Sequence, residues 1–298
     1  MKYVITRLVL GCNDYIELSL EEYEEVKNAK ENLMNALFVE EKLNYVLENF
    51  KEFELGMIDA AVDNMLYSDG NYSKIINDIH NFNRRIINLL STCRLYMDHT
   101  AHIIHSIYGG DSSQAKGLKD KKATEYDAHI GYRAMEAIRN YSQHRDIPVT
   151  FVSRNSKRVE TECGSCVKHA VIPQIQIAAL SKGFKKEILK ELQTMGEKID
   201  IRPLIREYVA SIGQIHLLIR KELHEDIIEW ESTLKRVFDR FHAAGGKNVL
   251  GLAIVAKNCA GKRIDSHEIF EDFMTRRKTL ERKNRNLTHI ASHFVTSE

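Results

Sequence analysis

The chain has 298 residues, enough to bury one large or two ordinary cores, with 43% hydrophobic and 29% charged side chains. No run of about 18 apolar residues occurs, so no membrane-spanning helix is expected, and the interrupted apolar stretch in "MKYVITRLVLGCNDYIEL" does not read as a signal peptide. The net charge of +1 conceals an asymmetry: residues 1–70 hold 15 acidic and 6 basic side chains, a balance of −9, so the remainder carries +10.

Five cysteines, an odd number, do not make a disulfide framework, and a reducing cytoplasm is the expected compartment. Only three prolines occur, at 148, 173 and 203, which suits a mainly α chain.

Residues 2–10 and 14–18 read as a short β pair turning at "GCND". From Ser19 the chain becomes rich in strong helix formers, and Ser19 with Glu22 has the spacing of a capping box. "YSDGNYS" (67–73) breaks this helix. Between Ser73 and Tyr108 the apolar residues Ile79, Phe82, Ile86, Leu89, Leu90, Cys93, Tyr96 and Met97 recur at threes and fours, predicting one long helix with a buried face. "GGDSSQAKGLKDKK" (109–122) reads as a mobile basic loop. A second helix is expected from about Thr124 to Ile147, where Pro148 stops it. The two form an antiparallel hairpin.

"VTFVS" and "HAVIPQIQIAAL" suggest a β-hairpin around a basic turn, "RNSKRVETECGS". Helices resume near Lys182, first in "FKKEILKELQTMGEKI". A longer helix then starts at Asp200 as N-cap, with Pro203 in its first turn. "AAGGKNVLGLAIVAKN" holds one strand, its glycines lacking the P-loop pattern, and the tail from Ser266 is helical, then basic. The expected architecture is a mainly α helical bundle around the long hairpin, with minor short strands near the N-terminus and at about 149–178. Composition divides it into an acidic β/α segment (1–70), a hairpin region (71–182) and a C-terminal helical region with a basic tail (183–298).

Chemistry concentrates in "RNYSQHRDIPV", residues 139–149. Arginine keeps its charge and binds phosphate oxygens through a planar fork, while histidine titrates near neutrality and moves protons. Arg139 and His144 are five apart, about 140° on an ideal helix, so they border one groove only if the last turn loosens before Pro148. Spacing alone equally describes the polar end of a helix. "RNYSQH", on the later helix of a long hairpin, resembles the R-x-x-x-x-H motif of the HEPN superfamily, with Asn140 as the polar residue after the arginine. The resemblance covers roughly residues 70–150. It implies a helical metal-independent endoribonuclease, often of defence or toxin systems, working at a site between two HEPN units. Arg139 and His144 would be catalytic and Asn140 supporting. Some members of the family are inactive binding modules.

Residues 116–158 carry 10 Lys/Arg against 5 Asp/Glu, and 276–298 carry 6 against 2. Either stretch can face a polyanion or simply solvate a surface. Arg145, Lys121, Lys122, Arg154, Lys157 and Arg158 are the RNA-contact candidates, with "TRRKTLERKNRN" as a second electrostatic footprint. Arg94 and Asp98, at i,i+4, read as a helix ion pair or as groups facing the Arg139/His144 groove. His99, His102 and His105 drift around their helix and do not complete a metal set. "CGSCVKH" (Cys163, Cys166, His169) lacks a fourth zinc ligand, so incidental cysteines are expected, a zinc shared between chains being the alternative. His216 and His224 read as surface residues. The expected partners are RNA, a second copy of the chain and a possible antitoxin or defence-system component, with no cofactor, metal or membrane. The competing readings are a non-catalytic RNA- or protein-binding module and a helical scaffold.

Overall fold

The computed structural model describes residues 1–11, 15–67, 71–161, 164–180 and 183–293. The "GCND" turn beyond Gly11 and Cys163 lie outside them. Strand β1 (Lys2–Arg7) pairs antiparallel with β2 (Tyr15–Leu18). Ser19 then opens α1 (Leu20–Tyr67) with a reciprocal capping box: its N–H donates to Glu22 Oε2 at 2.8 Å, and the Glu22 N–H donates to Ser19 Oγ at 3.0 Å. Asn71 caps α2 (Tyr72–Tyr108), accepting the Lys74 N–H, and the expected apolar stripe is buried along its length.

The expected loop at 109–122 is mostly helix. Gly109, at φ 84°, ends α2, and Ser112 accepts the Ala115 N–H to start α3 (Ser113–Ala128) four residues later. The expected helix from Thr124 to Ile147 is broken at His129, whose backbone is extended (φ −119°, ψ 115°), and resumes as α4 (Ile130–His144).

The expected basic turn is also mostly regular structure: residues 154–161 belong to β3 (Phe151–Thr161), paired in unbroken register with β4 (Gly164–Gln176). Cross-strand pairing overrides the weak strand propensity of "RNSKR". Helices α5 (Ile177–Leu180) and α6 (Lys186–Gln193) follow, and β5 (Lys198–Asp200) adds to β4. Asp200 Oδ1 accepts the Arg202 N–H at 2.9 Å, beginning α7 (Ile201–Ala243). Beyond β6 (Leu252–Lys257) lies β7 (Arg263–Glu268), which periodicity did not predict, then α8 (Asp272–Lys283). The chain is mainly α. Among the described residues, no helix is long and apolar enough to cross a membrane.

Two compact units are formed from non-contiguous stretches, whereas the composition-based divisions at 70 and 182 are linear. The first comprises residues 1–41 and 219–285. Its sheet has the order β2-β1-β6-β7, with β6 antiparallel to both neighbours. Ile5 and Ile254 on one sheet face join Tyr23, Leu33, Leu234 and Phe238 in the main core, while Val4, Ala253 and Val255 cluster on the other. The second unit comprises residues 42–218 and 286–298. It gathers α2 to α6, the sheet β3-β4-β5, the later part of α1 and the first part of α7.

Candidate functional site

Helix α4 lays one polar face along a cleft in the second unit. Arg133, Glu136, Asn140 and His144, spaced three or four apart, share that face, and the cleft they border has a volume of ≈ 900 Å³. Arg94 and Asp98 of α2 form one wall, Lys122 and Tyr126 of α3 another, and Arg145 and Lys185 its rim.

Many of these groups are engaged. Arg94 Nε donates to Asp98 Oδ2 at 2.7 Å, so this pair is at once the expected helix ion pair and part of the cleft. Arg133 Nη1 ties down the end of α3 through the carbonyls of Tyr126 (2.7 Å) and Asp127 (2.6 Å), and its Nη2 bonds Glu191 at 2.7 Å. Lys185 Nζ donates to the Tyr126 hydroxyl at 2.9 Å. Glu136 Oε1 accepts the Tyr208 hydroxyl at 2.7 Å, and burial pushes the Tyr208 phenol well above its ordinary pKa.

Two cations remain without an ion-pair partner among the described residues. Lys122 Nζ donates only to the Met97 carbonyl, at 3.3 Å, and its burial lowers the ammonium pKa. Arg145 follows the last turn of α4 and lies against Gly183, where an added Cβ would stand 2.8 Å from its Nε and φ is +92°. A larger residue at 183 would therefore push the guanidinium aside. His144 is exposed beside them. The arrangement places two cations that form no ion pair among the described residues, and one imidazole, around a space of ordinary ligand size. The Asp98 and Glu136 carboxylates are near enough to Lys122 to act on it through space.

No protein-family model, curated protein or solved structure matches the chain.

Of the residues singled out by sequence, Lys122, Asn140, His144 and Arg145 meet at the cleft, and Arg139 does not. Arg139 is half-buried, its Nη1 donates to Asn140 Oδ1 at 3.2 Å, and its buried Nε has no hydrogen-bond partner among the described residues. The last turn of α4 stays closed, since the Arg145 N–H bonds the Tyr141 carbonyl at 2.8 Å, and the five-residue offset is not relaxed. Lys121 is paired with buried Glu125 at 2.7 Å, and Arg154 with Asp78 at 2.6 Å. Lys157 and Arg158 are exposed on β3, away from the cleft.

Cys166 is exposed, and His169 Nδ1 lies 3.0 Å from Ser156 Oγ. Among the described residues, no three His, Cys, Asp or Glu side chains are grouped to hold a metal ion. His216, expected at the surface, is fully buried with Nδ1 2.9 Å from the Tyr96 hydroxyl; the charges around it in sequence lie on other faces of α7. His224 is exposed as expected. Tyr126 and Lys185 were missed because they converge from separate segments. The three- and four-residue spacing of Arg133, Glu136, Asn140 and His144 is the one local signal that could have marked the cleft face.

Proposed function

We propose that the chain binds RNA in the α2–α4 cleft and cleaves it as a metal-independent endoribonuclease. The observation that carries this reading is exposed His144 lining the same cleft as Lys122 and Arg145, two cations that form no ion pair among the described residues. In the proposed step the ribose 2′-oxygen attacks phosphorus and the 5′-oxygen leaves, giving a 2′,3′-cyclic phosphate. His144 transfers one of the two protons, and the cations hold the phosphate as its charge develops. Within one chain Arg139 stands off this cleft. Its participation requires a second copy to bring the guanidinium in, as the resemblance to HEPN proteins implies; a defence or toxin setting rests on that resemblance alone.

The test uses a labelled single-stranded RNA and EDTA. His144→Ala is expected to abolish cleavage while binding persists, and EDTA is expected to leave the wild-type rate unchanged. Wild-type rates in His144→Ala, or products ending in 3′-hydroxyl, contradict the proposal. The separation of Arg139 from the cleft favours a second reading, a non-catalytic RNA-binding module. In that case Arg145→Glu weakens binding and no variant changes a background cleavage rate.

A further inference from the structure

The later part of α1 is apolar on both sides. Phe53 (0% exposed), Met57 (7%) and Ala60 (8%) pack inward, as an amphipathic helix requires. On the opposite side Leu55 (51%), Ile58 (38%), Val62 (42%), Met65 (53%) and Leu66 (59%) remain in solvent. At 100° per residue these five lie within an arc of about 100°. A helix apolar all round is normally covered all round. With a large apolar side chain exposing about 200 Å² when free, the stripe presents on the order of 500 Å², towards the top of what a lone domain shows.

We propose that this stripe is the surface through which two copies of the chain associate, their α1 helices side by side and parallel. Leu55, Ile58, Val62 and Met65 follow the three-four-three spacing of a coiled-coil seam, and a second copy offers the matching seam by symmetry. The apolar stripe with its polar margins approaches the roughly 800 Å² per partner of a standard stable interface.

Charge along the margins favours one direction, and Lys51, exposed at the N-terminal end of the same arc, has Glu48 of its own helix at 3.9 Å. Exposed Glu52 and Asp59 line one margin of the stripe. The other margin holds Ala61 and Glu54, and Glu54 is neutralised by Arg206, whose Nε and Nη2 each donate at 2.8 Å. Antiparallel pairing would set the two acidic margins against each other, whereas parallel pairing sets each against its neighbour's neutral one. The same carboxylates disfavour an anionic lipid surface. The inference does not depend on the ribonuclease reading, and its test involves no RNA.

The experiment is sedimentation velocity of the full chain between about 1 and about 100 µM, wild type against the double variant Ile58→Glu/Met65→Glu. Both positions are exposed, so circular dichroism should match between the two proteins, and melting temperature should match at concentrations low enough to leave both monomeric. The expected result is a wild-type dimer and a double variant whose dissociation constant is at least about tenfold weaker. In parallel pairing Val62→Cys should form a disulfide-linked dimer on oxidation, beyond any background from exposed Cys166 and Cys259. A wild-type monomer throughout the range overturns the proposal, as does a dimer indifferent to the double substitution. Cross-linking confined to mixtures of Leu55→Cys with Met65→Cys overturns the parallel direction. Wild-type monomers that bind phosphatidylcholine vesicles, with binding lost in the double variant, would assign the stripe to lipid instead.

Discussion

Asn83 holds both backbone groups of Val149 with one buried side chain. Its Nδ2 donates to the Val149 carbonyl at 2.8 Å, and its Oδ1 accepts the Val149 N–H at 2.9 Å. The same Nδ2 also reaches the Ile79 carbonyl, at 2.8 Å. Val149 comes directly after Pro148, so this clasp from α2 fixes the chain as it leaves α4, and with it the end that carries His144. Replacing Asn83 by Ala leaves two buried backbone groups unpaired, and the expected loss is about 2–4 kcal/mol. Urea unfolding of Asn83→Ala measures it; a loss below about 0.5 kcal/mol would show that water or a shifted backbone satisfies those groups.

Gly131 lets α4 approach α7 closely. An added Cβ would stand 2.6 Å from the Leu204 carbonyl oxygen, a backbone atom that cannot step aside. The Gly131 N–H also donates to Glu207 Oε2 at 2.5 Å, and Glu207 Oε1 lies 3.1 Å from His129 Nδ1, so one carboxylate serves the first turn of α4. Gly131→Ala should lower stability by about 1–3 kcal/mol despite alanine's better helix propensity. A rise in melting temperature would contradict the contact.

Lys122 should trade stability against binding. Burial lowers its pKa from the ordinary 10.5, so the unfolded chain holds the proton more tightly than the folded one. Its contribution to stability is fully present above pH 10.5 and is lost as pH falls towards the folded value. At neutral pH the folded cleft therefore carries a penalty that a phosphate would relieve. Lys122→Met is expected to melt at or above the wild-type temperature at pH 7. It should also weaken RNA binding about three- to tenfold and flatten its salt dependence. Melting curves and filter binding at two salt concentrations check both halves.

Asp265 in β7 should shape the acid limb of stability. The N–H of His267, at 3.0 Å, and the hydroxyl of Tyr23, at 3.1 Å, hold its carboxyl down to about 2 from an ordinary 3.8. A depressed carboxyl contributes stability above its unfolded pKa and loses it as pH falls through the folded one, which places the window between pH 3.8 and about 2. The carboxyl is partly exposed, at 43% of its side-chain surface, so the effect is modest. Asp265→Asn should remove the part of the urea-midpoint decline that falls in this window, and an unchanged slope there would show that other carboxylates govern it.

Local signals were legible where one residue type serves one purpose. Ser19 with Glu22, Asp200 before α7 and the apolar stripe of α2 each state their element in a few residues. The first part of α3 escaped notice because it buries little, Leu118 alone among residues 113–122, and so has no apolar period to read. Strand β7 escaped because "RIDSHE" is a polar edge whose one large apolar residue, Ile264, is 55% exposed. At the cleft, His144 and Asn140 were picked out by the R-x-x-x-x-H motif, not by the face they share with Arg133 and Glu136. That Arg139 turns away from that face is a matter of helical phase, which a motif written as a spacing does not carry.

The order of strands in the first sheet also constrains how the molecule is made. Lys2 lies opposite Lys257, so β1 must wait while about 250 residues are synthesised before its central partner exists. At about 5–20 residues per second that is roughly 13–50 s on the ribosome. Until then β1 and β2 are at most a two-stranded ribbon, too small to be stable alone, and Val4 lacks Ala253 and Val255, which it packs against in the finished sheet. The first unit therefore stays open until β6 and β7 have been made, and β1, its earliest strand, is the segment most in need of protection during synthesis.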